Sequence, residues 1–317
     1  MGAVKIIAPL VGFISDVETL DFGEFVICKV LTENLHNFLR SMGITRGISD
    51  EMAPQLLSNY LLCYEYSVEE NDRVMNPPDK TSKRIENLVK TFRLYKSGTV
   101  RNYFYILVPS DFTGGYMTNR YITQGGFLNY HFSSSEIKDF LEFQKILTTL
   151  IPNEWNKDNR YIEIAIRYFN FANERDSNED KMVDYIIALE ALYLNGDHGE
   201  FTYRLAHRAA SMLGSTFDRR RVTFEKVKDA YNLRSKIVHG SSDPKKREIT
   251  NEDVEKVNNY VRISIVKYLN LNKTHNSKKL ILEKIDESLF GEASWDTLQK
   301  DARAFLACRA ENEGKKW

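Results

Sequence analysis

Arg234 and His239 are the residues whose types and spacing most readily do chemistry in this chain. They lie in the stretch Tyr231-Asn232-Leu233-Arg234-Ser235-Lys236-Ile237-Val238-His239-Gly240. Read as a helix from about Arg219 onward, the stretch has an apolar stripe of Phe224, Val227, Tyr231 and Val238, at i, i+3, i+7 and i+14. Arg234 falls within that stripe. A guanidinium does not give up its proton, so a partly buried one needs an anion, either a carboxylate or a phosphate. His239 follows against Gly240, the residue type that commonly ends helices. On a continuing helix the two side chains would stand about 140° apart; a break at Gly240 lets the imidazole turn towards the guanidinium. A permanent cation beside an imidazole, a ring able to take or give a proton, suits phosphate chemistry. The structural alternative pairs Arg234 with Glu190 or Glu225 and leaves His239 as a helix-terminal residue stabilised by the dipole.

Three more charged residues belong with this pair. Glu190 stands near the centre of an apolar stripe formed by Val183, Ile186, Ile187 and Leu194, where an unpaired carboxylate would be costly. Arg204 and Arg208 are four residues apart and share one face of a short helix. The economical arrangement pairs Glu190 with Arg204 or Arg208, and either fixes packing alone or leaves one arginine for phosphate. His207, beside Arg208, is the rival histidine, and exposure to solvent accounts for it. His36, His131, His198 and His275 form no pair at metal-ligand spacing, so no metal and no cofactor are expected.

One Arg and one His can act on RNA without a metal, because the 2′-hydroxyl is an internal nucleophile. A base takes its proton, an acid protonates the departing 5′-oxygen, and a cation neutralises the pentacoordinate phosphate. Arg234 can grip two phosphate oxygens. A single imidazole cannot hold both proton-transfer roles at once, whereas a two-fold dimer would bring two to one cleft.

At these residues the chain resembles a known family. Arg234-Ser235-Lys236-Ile237-Val238-His239 has the R-x4-H form of HEPN domains. The flanking stretches Ile187-Ala188-Leu189-Glu190-Ala191-Leu192 and Tyr203-Arg204-Leu205-Ala206-His207-Arg208-Ala209-Ala210 are similar in order and spacing to the Apea-like branch. The likeness runs from about Asp158 to Leu271. It implies a helical bundle and an endoribonuclease whose composite site forms between two copies and leaves a 2′,3′-cyclic phosphate. Arg234 and His239 would be catalytic. Ser235, Arg208, Arg204, Glu190 and His207 would bind substrate or support them. It also implies RNA as partner, a role like that of toxins in phage defence and abortive infection, and a regulator or antitoxin. The alternative within the same resemblance is a non-catalytic module that binds RNA or nucleotide, or only dimerises.

The elements that must position these residues are legible as two regimes, an α+β first part and an all-α second part. In 1–132, Phe22 to Leu31 holds a β-rich run, and Thr32 opens a helix with Leu35, Phe38, Leu39 and Met42. Asn59 to Val68 reads as a strand. After Pro77-Pro78, Thr81 caps a helix carrying Ile85, Leu88, Val89 and Phe92. Val100 to Val108 is a strand stopped by Pro109, and Gly114-Gly115 and Gly125-Gly126 turn around a strand at Tyr116 to Thr123. From Ser133 the period becomes 3.6. Ser133 with Glu136 opens one helix, Asp158 caps the next, and a third carries Glu190. The short helix Tyr203 to Leu213 and the Arg234 helix follow, and Thr250 with Asp253 opens a long last one. This makes a bundle over 133–272, with a tail over 273–317 that holds one amphipathic piece, then becomes charged and is partly disordered beyond Gly291.

Composition sets the limits. The 317 residues carry 44 Lys plus Arg against 44 Asp plus Glu, so a nucleic-acid site must be a local basic patch rather than a global field. Cys28, Cys63 and Cys308 make neither a disulfide framework nor a zinc pattern. No apolar run is long enough to span a bilayer, so a cytoplasmic protein without membrane contact is expected.

Overall fold

A computed structural model describes residues 2–30, 60–68, 79–102, 104–109, 116–119, 129–152, 154–196, 199–239, 248–275 and 277–303. The chain is α+β and divides into two compact units: residues 1–93 with 98–142, and residues 94–97 with 143–317.

In the first unit, β1 (Gly2–Leu10), β3 (Thr19–Asp21), β4 (Phe25–Lys29), β5 (Tyr60–Val68), β6 (Phe104–Pro109) and β7 (Tyr116–Asn119) form an antiparallel sheet in the order β3-β4-β5-β1-β6-β7. A separate parallel pair joins β2 (Phe13–Ser15) to β8 (Tyr130–Phe132). The strand β1 is central, and nothing in the reading above anticipated it. Its signal was present in Ile6, Ile7, Ala8 and Leu10, all fully buried. The helix α1 (Asp79–Tyr95) starts two residues before Thr81, which therefore lies inside its first turn rather than capping it. The expected strand from Val100 narrows to β6, which includes Pro109, while Arg101 makes only an isolated bridge to Val11. The expected helix from Thr32 and both glycine pairs lie outside the described residues. Aromatic rings fill this core: Phe92 stacks on Phe140 with centroids 4.3 Å apart, and Phe13, Phe22 and Phe132 pack around them.

A capping box closes at Ser133 and Glu136 through a 3₁₀ turn, which leads into α2 (Ile137–Leu150). The second unit is helical. Its helices are α3 (Arg160–Glu174), α4 (Asn178–Tyr193), α5 (Phe201–Leu213), α6 (Phe217–Val238), α7 (Asn251–Thr274), α8 (Lys278–Glu287) and α9 (Glu292–Asp301). Asn159 rather than Asp158 stands at the N-cap of α3. Ser177 caps α4 and Thr216 caps α6, each side chain accepting backbone N–H groups of the first turn. Thr250 and Asp253 form the second capping box, on α7.

The helices pair as antiparallel neighbours, α3 with α4 and α5 with α6, and α7 packs on α3, α4 and α5. Buried polar groups on α7 find partners: Ser264 Oγ and the Tyr193 hydroxyl are 2.7 Å apart, and Lys267 donates to the Met212 carbonyl at 2.6 Å. Directly after Gly291 the chain is folded as α9. Its Trp295 indole N–H and Gln299 amide both donate to the Ser211 carbonyl at the end of α5, which places α9 on the bundle. Among the described residues, no helix is long and apolar enough to cross a membrane.

Candidate functional site

Arg234 and Glu190 meet across the contact between α6 and α4. The buried face of α6 is Thr223, Val227 and Ala230, and Arg234 continues it at the next helical repeat. Of the anticipated stripe, Val227 alone lies on this face. Phe224 and Tyr231 are half-buried, and Val238 is 53% exposed. Arg234 is thus drawn inward by its place on the helix, as expected, but beside different neighbours.

Arg234 Nη2 lies 3.6 Å from Glu190 Oε2, and the two side chains are 24% and 22% exposed. That distance is an ion pair beyond hydrogen-bond reach. Arg234 Nε is shielded from solvent and has no hydrogen-bond partner. Burial raises the Glu190 pKa from its ordinary value, and the attraction of Arg234 only partly opposes it. Tyr231, next to both, has its phenol pushed up by burial and by Glu190. The guanidinium is therefore held near a carboxylate without being saturated by it.

His239 is the C-terminal cap of α6, and its backbone N–H donates to the Ser235 carbonyl at 3.0 Å. Its side chain is exposed and Ser235 is half-buried. Gly240, the anticipated break, lies outside the described residues. One chain thus presents one solvent-facing imidazole at the end of the helix that holds the Arg234 guanidinium.

The arginines of α5 do not behave as anticipated. Glu190 pairs with neither of them. Arg208 is buried and makes a two-pronged contact with Asp286 of α8, both bonds at 2.7 Å, while its Nη1 donates to the Tyr193 carbonyl at 2.7 Å. That leaves Arg208 pinning α8 to the bundle rather than facing a phosphate. The physical reason is the folded tail, which supplies a carboxylate that α4 and α5 lack at that level. Arg204 is half-buried, one turn earlier.

His207 is not simply solvated. It is half-buried, its Nδ1 is shielded without a hydrogen-bond partner, and its ring stands edge-on to Tyr203 (5.2 Å) and Phe224 (5.9 Å). Tyr203 is 54% exposed, and Lys228 Nζ lies 5.8 Å from the Phe224 ring centre. The sequence reading passed over Tyr203 and Lys228; the signal was an aromatic set interleaved with cations on adjacent helices. The helix α6 carries seven Lys or Arg (219, 220, 221, 226, 228, 234 and 236) against three Asp or Glu (218, 225 and 229), a local positive excess within a neutral chain.

Of the remaining histidines, His131 is exposed on β8, and His275 Nε2 lies 3.8 Å from Asp301 and 3.3 Å from Lys284 Nζ. His36 and His198 lie outside the described residues. Among the described residues, no three His, Cys, Asp or Glu side chains are grouped to hold a metal ion. The chain matches no family model, no curated protein and no solved structure.

Proposed function

We propose that the chain is a metal-independent endoribonuclease of the HEPN type, working as a homodimer that brings two copies of Arg234 and His239 to one RNA strand. The observation that carries this reading is the state of Arg234: inward-facing, only loosely paired with Glu190, and with its Nε–H unmatched, five positions from an exposed imidazole. The positive excess on α6 supports this reading, because a neutral chain needs a local field to hold RNA. Tyr203, His207 and Phe224 beside it offer faces and edges on which unstacked bases can rest.

The chemistry assigns roles as follows. The His239 imidazole of one copy takes the proton of the 2′-hydroxyl, whose oxygen attacks the adjacent phosphorus. Arg234 neutralises the oxyanion as charge builds on the phosphorane. The P–O5′ bond breaks, and the protonated imidazole of the second copy gives its proton to the leaving 5′-oxygen. The products are a 2′,3′-cyclic phosphate and a free 5′-hydroxyl. A role in phage defence, with a regulator or antitoxin holding the site idle, is proposed from the family resemblance alone.

The test is RNA cleavage by the purified full chain in EDTA. His239→Ala is expected to lower the rate at least ~10²-fold with an unchanged Tm, because the side chain is exposed. A dimeric site further requires that excess His239→Ala chain poison the wild type by forming mixed pairs. Undiminished cutting by the variant removes His239 from the mechanism.

One observation favours a second reading. Within a single chain Arg234 already has a carboxylate neighbour, as a purely structural arginine would. On that reading the chain binds RNA or nucleotide without cutting it, and binding survives His239→Ala with no cleavage under any condition.

A further inference from the structure

Cys28 on β4 and Cys63 on β5 are 35 residues apart in sequence, and their Sγ atoms stand 3.8 Å apart. The strand register explains the meeting. Val26 faces Cys63 and Cys28 faces Leu61, so the two cysteines are diagonal neighbours on one face of the sheet. Both are half-buried free thiols, whereas Phe25, Ile27 and Leu62, on the opposite face, are buried. Two small apolar residues could meet this way for packing alone. Thiol packing, however, does not require that two sulfurs touch, and the antiparallel ladder holds these two strands in fixed register.

We propose that Cys28 and Cys63 are a redox-active dithiol that a peroxide converts into a cross-strand disulfide. The sulfurs must close from 3.8 Å to the bonded separation of about 2.05 Å, which takes rotation about the two Cα–Cβ bonds and a local approach of the strands. Diagonal cross-strand neighbours have Cα atoms roughly 7–8 Å apart, more than the roughly 4.4–6.8 Å that a disulfide usually spans, so the two strands must also draw together locally. The bond is therefore strained and readily reduced, the behaviour of a reversible link rather than a structural staple.

The contact also distinguishes the two sulfurs. The contact with Cys63 lowers the Cys28 pKa against the effect of burial, while the same contact and burial push Cys63 up. In the proposed reaction Cys28 is the attacking thiolate. It bonds to one peroxide oxygen and breaks the O–O bond, and the released hydroxide leaves as water, giving a sulfenic acid at Cys28. Cys63 then bonds to that sulfur, the S–O bond breaks, and the hydroxyl departs as a second water with the Cys63 proton. Two thiols and one peroxide give one disulfide and two waters. The inference does not depend on the ribonuclease reading.

The test treats the freshly reduced full chain with hydrogen peroxide, alkylates it in denaturant, and measures intact mass and linked peptides. The expected result is loss of two hydrogens, a Cys28–Cys63 peptide pair, an alkylated Cys308, and full reversal by dithiothreitol. Cys63→Ser should leave a sulfenic acid on Cys28 that dimedone traps. Retention of all three thiols, over-oxidation of a single sulfur without pairing, or a bond to Cys308 each overturns the proposal. Wild-type mass alone decides the matter if the serine variants fold poorly.

Discussion

Replacing Arg234 with Met keeps the aliphatic bulk of the side chain and removes the only cation in ion-pair range of Glu190 among the described residues. Two unit charges at about 4 Å attract by about 4 kcal/mol at an effective dielectric near 20. Glu190 is 22% exposed and its carboxyl is already raised by burial, so part of that attraction only offsets desolvation. Protonation also gives the carboxyl an escape. The net cost of Arg234→Met at neutral pH is therefore about 1–2 kcal/mol, well below the value for a fully buried pair. In a unit of this size that corresponds to a Tm loss of about 2–8 °C.

The sign with pH follows from proton binding. A carboxyl whose folded pKa is raised binds more protons folded than unfolded, so stability falls as pH rises from the ordinary value of 4.5 through the folded pKa. The variant raises that pKa further, so its deficit should be largest at pH 7–8 and shrink towards pH 4.5. Glu190→Gln placed on Arg234→Met should restore most of the loss, because the uncompensated charge is gone. Thermal unfolding of the four chains of this cycle at pH 4.5, 6 and 7.5 measures it. A Tm loss that is equal at every pH, or no rescue by Glu190→Gln, refutes the claim that the pair is electrostatically coupled. In the same cycle Glu190→Gln alone should tighten binding of a short RNA or of inorganic phosphate, since the carboxylate no longer competes for the guanidinium.

Arg208→Met should cost about 2–3 kcal/mol, because it strands Asp286 and the Tyr193 carbonyl, yet leave RNA affinity per folded molecule unchanged; lost affinity at full folding would return Arg208 to the substrate. Lys278 has its pKa lowered to about 8, chiefly by burial and secondarily by Arg208. The unfolded chain then binds more protons than the folded one between about pH 8 and pH 10.4, so stability should rise with pH across that window; Lys278→Met should flatten the rise, and an unchanged slope in denaturant titrations would contradict the assignment. Gln299→Ala removes the amide that donates to the Ser211 and Met212 carbonyls and accepts from Lys267. It should cost about 1–2 kcal/mol, and deletion from Gly291 onward should cost more; no Tm change in either would detach α9 from the bundle.

The helical half was largely legible because its signals are local. The capping pairs Ser133/Glu136 and Thr250/Asp253, the end of α5 at Leu213 and the 3.6-residue period of α7 depend on residues within a turn or two of one another. Arg234 could be marked from its own helix, since one helix's apolar stripe already says that a charge there faces inward. The β half was less legible. The central strand β1 runs through Gly2–Leu10 with no turn signal before it, and its identity as a strand is settled by pairing with β5 and β6, far along the chain.

Local pattern thus determined on its own that this chain has an α+β part and an all-α part, and that a guanidinium and an imidazole close a helix in the second. Tertiary structure alone decided which partners the charges take. Glu190 turned to Arg234 because α4 packs against α6, Arg208 turned to Asp286 because the tail folds back as α8, and Cys28 met Cys63 because β4 and β5 share a register. A buried charge needs some counter-charge, and sequence can state that need. Which carboxylate satisfies it depends on distances of a few ångströms between helices that no spacing along the chain encodes.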